Sequence, residues 1–278
     1  MEFHLRNRVQ FLVNKNLITT NPQTVNNMST GQIQTSVHNN VATIAFSHPA
    51  SNSFPSYLLE RLVDNIDRLS EDDEAHVIIL QSEGDRAFCA GASFDELVAV
   101  KNSDEGEKFF LGFANLINAM RTCKKLIIGR VQGKAVGGGV GIISACDYVF
   151  ALEKADIKLS EISIGIGPFV IAPAVERKIG LSAFSELTID AMHWQTAYWS
   201  QKKGLYNKVF ENTRDMDDAI AQLANKLASY NPQALAEMKR VFWKNTSHWN
   251  DLLIERAKIS GELVLSNFTK KALLKFKK

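Results

Sequence analysis

This sequence predicts an α/β fold that ends in a helical region, and three observations carry that reading. Short apolar runs alternate with amphipathic stretches along most of the chain, the pattern of strands and helices sharing one core. Strand signals nearly vanish after about residue 185, where helical spacing takes over. The chain has 278 residues with 45% apolar content, enough for one large core or one domain with an appended helical part.

The elements follow in order. Residues 1–32 are rich in Asn, Gln, Thr and Ser and lack periodicity, so they read as a disordered lead, with Met28 as an alternative start. The apolar patch Val9 to Val13 is too short for a secretory signal or a membrane span. Gln34 to Val37 and Val41 to Phe46 read as strands of a hairpin about His38-Asn39-Asn40. Ser56 is positioned to cap a helix whose Leu59, Leu62, Val63, Ile66 and Leu69 keep helical spacing. Val77 to Leu80 is a short buried strand, and Phe109, Phe110, Phe113, Ile117 and Met120 mark the next helix. A strand at Leu126 to Val131 runs into the glycines 137–139, an apolar helix from Val140 to Cys146, and a strand at Tyr148 to Leu152. Helices are expected over Met216 to Ala228, Pro232 to Trp243 and Trp249 to Leu265. The organisation predicted is thus a lead over 1–32, a core with the functional site over 33–190, and a helical region over 191–278.

Composition excludes several classes of function. A formal net charge of +2 gives no electrostatic case for nucleic acid or an anionic membrane surface. No segment reaches the ~18 consecutive apolar residues a membrane helix requires. Three cysteines without CxxC spacing argue against a disulfide framework or a metal site, and a reducing cytoplasm is the simplest setting.

The run Gly137-Gly138-Gly139-Val140-Gly141 sits where a strand gives way to a helix. There a backbone N–H and the helix N-terminus both favour a negatively charged oxygen. Ala87 to Ala92 is a second strand-to-loop segment able to present an N–H. Paired N–H donors can hold a thioester oxygen as it becomes an enolate. No Lys-Ser/Thr follows the glycines, so a nucleotide-phosphate loop fits poorly. The competing reading of the glycines is a tight turn that packs helix on strand.

Four pieces in order resemble the crotonase superfamily, the enoyl-CoA hydratase/isomerase family. They are His48-Pro49 with Asn52-Ser53, Ala87 to Leu97, Gln132 to Gly139 with Cys146-Asp147, and Lys158-Leu159-Ser160-Glu161 with Gly165 and Pro168. The resemblance runs from about Ile33 to the C-terminus. It implies a spiral of repeated ββα units and a helical C-terminal trimerisation region, giving homotrimers or hexamers. It implies an acyl-CoA substrate and no further cofactor or metal. By position, the thioester oxygen would be held by the N–H groups of Ala92 and Gly138, with Glu161 moving the proton. Ala90, Gly91, Gly137, Gly141, Pro168 and Phe169 fall at substrate-binding positions. Lys275 is the candidate for reaching a neighbouring subunit's CoA phosphates, against the alternative of a solvated basic tail.

One departure bears on the reaction. Hydratases of this family divide the work on water between two glutamates. The first belongs at Gly141, which has no carboxylate, and the second matches Glu161. One carboxylate suffices to move a proton between two carbons of an enoyl thioester, so isomerisation of 3-enoyl to 2-enoyl thioesters is favoured. The alternatives are a hydratase with a substitute for the missing glutamate, branched-chain substrates included, or a subunit that binds acyl-CoA without turnover. Apolar neighbours Ile157, Leu159, Ile162, Ile164 and Ile166 would raise the pKa of Glu161 on its strand. Ser93 stands where the family often has Asp. Asp95 and Glu96 could substitute for the missing carboxylate, although Glu96 fits a helix N-terminal role. Phe169, Val170 and Ile171 either narrow the acyl pocket or pack in the core. Asp147 reads as a buried structural carboxylate, Cys89 as packing and His48 as a turn residue. Trp194, Tyr198 and Trp199 read as a core or interface cluster.

Overall fold

In a computed structural model of the chain, residues 30–276 are described. The lead expected over residues 1–32, Met28 included, lies almost wholly outside them, as do Lys277 and Lys278. Its last residue, Gln32, already belongs to a strand.

The hairpin forms as the sequence predicts, with β1 (Gln32–His38) antiparallel to β2 (Val41–Ser47). Its two-residue turn needs positive φ at both positions, and Asn39 and Asn40 supply 51° and 62°. β3 (Val77–Ser82), β5 (Leu126–Val131), β7 (Tyr148–Leu152) and β9 (Lys208–Phe210) then add in parallel, in the order β1-β2-β3-β5-β7-β9. Most of their residues are buried, which explains the continuous apolar runs. β9 is a three-residue edge strand inside the region expected to be helical.

A second sheet is made of three short parallel strands, β4 (Ala87–Cys89), β6 (Lys134–Val136) and β8 (Ile157–Lys158), in that order. The chain alternates between sheets: β3 then β4, β5 then β6, β7 then β8. A helix or helix pair follows each passage: α2 (Phe94–Ala99) with α3 (Ser103–Thr122), then α4 (Gly138–Ala145), then α5 (Ala172–Ile189). This is the repeated ββα spiral.

The helix α1 (Ser56–Glu71) buries Leu58, Leu59, Leu62, Ile66 and Leu69 against the core. Its cap differs from expectation. Pro55 holds the cap position, and Ser56 instead donates from its Oγ and N–H to Glu96 Oε2, at 2.6 and 2.9 Å. Glu96 lies in the first turn of α2 and places its carboxylate at the N-terminus of α1, where the helix dipole favours it. Ser93 caps α2 by accepting from the Glu96 N–H.

The C-terminal helices are α6 (Ala197–Lys202), α7 (Thr213–Ala228), α8 (Pro232–Phe242), α9 (Trp249–Leu263) and α10 (Asn267–Phe276). α9 lies along α3, and a side chain on Gly106 would strike the Gly261 carbonyl, so two glycines let the helices touch. α8 is pinned by a buried ion pair. Lys239 Nζ lies 3.0 Å from Asp147 Oδ2 and donates to Lys125 O at 2.7 Å. Asp147 also accepts from Ile127 N and Trp243 Nε1, so it is the structural carboxylate the sequence suggested. The aromatic cluster expected at 194–199 resolves into separate contacts. Trp194 receives the Lys134 and Lys158 ammoniums at 4.4 and 4.6 Å, Trp199 Nε1 donates to Glu186 at 3.2 Å, and Tyr198 is exposed. No helix among the described residues is long and apolar enough to cross a membrane.

Candidate active site

The three strands of the small sheet end side by side, and each delivers one segment of the site. Past β4 come Ala90, Gly91 and Ala92; past β6 come Gly137 and Gly138; past β8 come Ser160 and Glu161. Parallel strands place their carboxyl ends on one edge, where open α/β sheets commonly hold ligands. All seven residues line one cavity of about 170 Å³.

The first two segments touch. A Cβ on Gly91, whose φ is 91°, would lie 2.9 Å from the Val136 carbonyl and 3.5 Å from the Gly138 nitrogen. The loop after β4 is braced from the loop before α1: Ala90 N donates to Ser51 O, Phe54 N to Gly91 O, and Ser93 N to Phe54 O. Asn52 fixes that brace, accepting from His48 N and donating to Glu83 O and Ala87 O. His48 Nδ1 accepts from Ala50 N and lies 3.2 Å from Ser53 Oγ, a turn role. Among the described residues, no protein acceptor engages the N–H of Ala92 or of Gly138. Gly138 opens α4, where N–H groups lack intrahelical partners. Cys89 is buried, its thiol pushed up to about 12 by desolvation, so it is no nucleophile at neutral pH.

Glu161 does not lie on a strand. β8 stops at Lys158, and Glu161 opens a short 3-10 helix over Glu161–Ile164, closed by Gly165 at φ 83°. The residue as a whole is half-buried, but Oε2 is shielded from solvent and has no hydrogen-bond partner among the described residues. Desolvation pushes its carboxyl up to about 7, against a smaller opposing effect of its own backbone N–H. The carboxylate rests on Gly137. A Cβ there would stand 2.6 Å from Oε1, and φ of 54° with ψ of −119° is a conformation glycine alone adopts readily.

Apolar side chains make the rest of the cavity apart from Ser260 of α9. Phe94 and Leu97 come from α2, Phe110 and Phe113 from α3, and Pro168, Phe169, Val170 and Ile171 from the turn before α5. Glu161 is the one ionisable side chain among the described residues that line it. Neither Asp95 nor Glu96 reaches it. Two expected positions fall outside. Gly141 is buried one turn into α4, and a Cβ on it would lie 2.7 Å from Ile171 Cβ, so Ile171 stands between it and the cavity. Lys275 is exposed on α10 and does not line the cavity of its own chain. Sequence reasoning missed Ser260 of α9, a lone polar residue on an apolar helix face, and read Phe110 and Phe113 only as a core stripe.

An apolar chamber with one carboxylate poised near neutrality and two unengaged N–H groups suits proton transfer beside an oxygen that gains charge. The comparisons agree in class. The sequence profile described as Enoyl-CoA hydratase/isomerase matches residues 36–275, and the chain belongs to that family. A short-chain-enoyl-CoA hydratase of Clostridium acetobutylicum is 30% identical over 202 residues, 72% of this chain and 76% of that protein. A peroxisomal Delta(3,5)-Delta(2,4)-dienoyl-CoA isomerase of Arabidopsis thaliana is 24% identical over 192 residues, 64% of this chain and 67% of that protein. The crystal structure of an enoyl-CoA hydratase from Bacillus halodurans superposes with a TM-score of 0.81 at 21% identity, covering 87% of this chain and 99% of that one, which shows the shared fold.

Proposed function

We propose that this chain converts 3-enoyl-CoA thioesters to 2-enoyl-CoA thioesters, with Glu161 as its single proton carrier. The observation that carries the reading is Ile171 standing beside Gly141, where a second glutamate would have to fit. In this mechanism ionised Glu161 takes a proton from the α-carbon. The electron pair passes into the thioester carbonyl, giving a dienolate whose oxygen is held by the N–H groups of Ala92 and Gly138. Each such donor lowers the barrier by about 3–4 kcal/mol. Protonated Glu161 then returns its proton to the γ-carbon, leaving the double bond between the α- and β-carbons. No water is consumed and no cofactor is required. A carboxyl near pH 7 serves both steps, because it neither holds nor releases the proton too strongly.

The test is a pair of assays on a 3-enoyl-CoA and a 2-enoyl-CoA of matched length, with Glu161→Gln as control. Isomerisation without hydration, abolished in the variant, is the expected result. Glu161-dependent hydration would overturn it in favour of a hydratase, the reading that the name of the Clostridium relative favours. Binding of both esters without turnover would favour an acyl-CoA-binding subunit. The reading includes a homotrimer or a pair of trimers, supported by exposed Val241, Phe242 and Ile254 on the C-terminal half and checked by sedimentation. It also includes a reducing cytoplasm, supported by the unpaired thiols of Cys89, Cys123 and Cys146.

A further inference from the structure

The reacting cavity has a larger neighbour. A groove of about 670 Å³ runs between α5 and α9, and Leu181, Phe184 and Leu252 give it an apolar stretch. Gly167, Pro168 and Phe169 line both spaces, so these three residues form the wall between them. Within that wall only Phe169 has a side chain large enough to be removed with effect. Its ring is seated on Gly167: a Cβ on Gly167 would lie 2.5 Å from Cε2 and 2.6 Å from Cζ of the ring. The backbone beneath is held by the Ala172 N–H, which donates to Pro168 O at 2.9 Å as α5 begins.

We infer that Phe169 sets the length of acyl chain this enzyme accepts, and that the accepted substrates are short. Cavities of about 150 Å³ hold a ligand of benzene size, so a space of about 170 Å³ takes the thioester end with roughly four to six acyl carbons. A longer tail meets the Phe169 ring. Without the ring, the tail enters the groove and is taken up against Phe184 and Leu252. Among the described residues Glu161 is the one charged side chain in the lining, which adds that the short chain is unsubstituted by acidic or basic groups. This inference rests on the acyl-CoA reading of the site, and on neither isomerisation nor hydration in particular.

The test uses saturated butanoyl-, hexanoyl- and decanoyl-CoA, which bind without reacting, titrated calorimetrically into the full-length protein and its Phe169→Ala variant. The native chain is expected to bind decanoyl-CoA at least tenfold more weakly than hexanoyl-CoA, and Phe169→Ala to bring the two within about threefold. Phe169→Leu, which keeps an apolar side chain on Gly167, is expected to lie between them and supplies the readout if the alanine variant does not fold. Equal affinity for hexanoyl- and decanoyl-CoA in the native chain overturns the inference. So does an unchanged ratio in a folded variant. Failure of all three thioesters to bind would instead remove the acyl-CoA reading, and this inference with it. A protein that binds them with the expected ratio but hydrates rather than isomerises leaves the length gate standing.

Discussion

The two sheets each carry a buried carboxylate at one end, and the fold treats the two oppositely. Asp147 precedes β7 of the large sheet, where it meets Lys239, Trp243 and the Ile127 N–H, and every neighbour favours its charge. Glu161 follows β8 of the small sheet, faces an apolar chamber, and keeps one oxygen with no partner among the described residues. A partnered buried charge holds structure together, whereas an unpartnered one sits near its protonation midpoint and can exchange a proton. On the reading proposed above, chemistry falls to the sheet whose strands are two or three residues long, and stability to the sheet that buries the apolar runs.

The sharpest break of that contrast is Glu161→Gln. Turnover is expected to fall by 10³-fold or more, in line with the loss of a general acid–base group, as steady-state kinetics would show. In the native protein kcat/KM is expected to fall about tenfold per pH unit below about 7, because the free enzyme must start with an ionised Glu161. Stability moves the other way. The folded pKa lies above the unfolded value of 4.5, so the group costs nothing below that value. The cost grows as pH rises toward 7 and is complete above it, at about 3 kcal/mol. Glu161→Gln is therefore expected to raise Tm at pH 8 and to leave it unchanged near pH 4.5. A variant of equal Tm at both values would show that the carboxylate is not desolvated.

Gly137→Ala tests how far the carboxylate depends on the glycine beneath it. The added methyl would press on Oε1, and the backbone would be forced to keep a φ of 54°. A loss of about 100-fold in kcat is expected, with about 1–2 kcal/mol of stability lost to backbone strain. Asp147→Ala probes the other end. Leaving Lys239 buried and unpaired is expected to cost about 3–5 kcal/mol by denaturant titration, with kcat per folded molecule unchanged. A fall in kcat without a fall in stability would erase the division between the two sheets.

The same division decided what could be read from sequence. β5 and β7 match their expected limits because each is a largely apolar run, interrupted in β5 by Arg130, buried along most of its length and set between turn signals. β4, β6 and β8 have three, three and two residues, too short for any period, and only the motifs around them marked their ends. Glu161 was expected on a strand because the Lys158-Leu159-Ser160-Glu161 segment resembles a strand and loop of the family, and the run continues with Ile162-Ser163-Ile164. Gly165 in the left-handed region turns that run into a 3-10 helix. α5 was not legible, since Pro173 sits in its first turn and Gly180, at φ 77°, kinks it and interrupts its pattern. The pairing of Ile171 with Gly141 joins distant parts of the chain, so the sequence could show the missing carboxylate but not what fills its place.

One residue outside both carboxylate sites serves the two sheets indirectly. Asn52 holds a φ of 57°, in the region Asn tolerates better than most residues. Its side chain ties His48 N, Glu83 O and Ala87 O together, linking the end of β2 to the strand that leads to Ala92. Asn52→Ala leaves those groups unsatisfied in a partly buried loop, at an expected cost of about 1–3 kcal/mol. Because Ala90 and Ser93 remain tied to the backbone of Ser51 and Phe54, the Ala92 N–H should shift only slightly. A two- to fivefold loss in kcat with unchanged KM is expected. If kcat instead fell as far as in Gly137→Ala, the position of the Ala92 N–H would depend on this loop rather than on the small sheet.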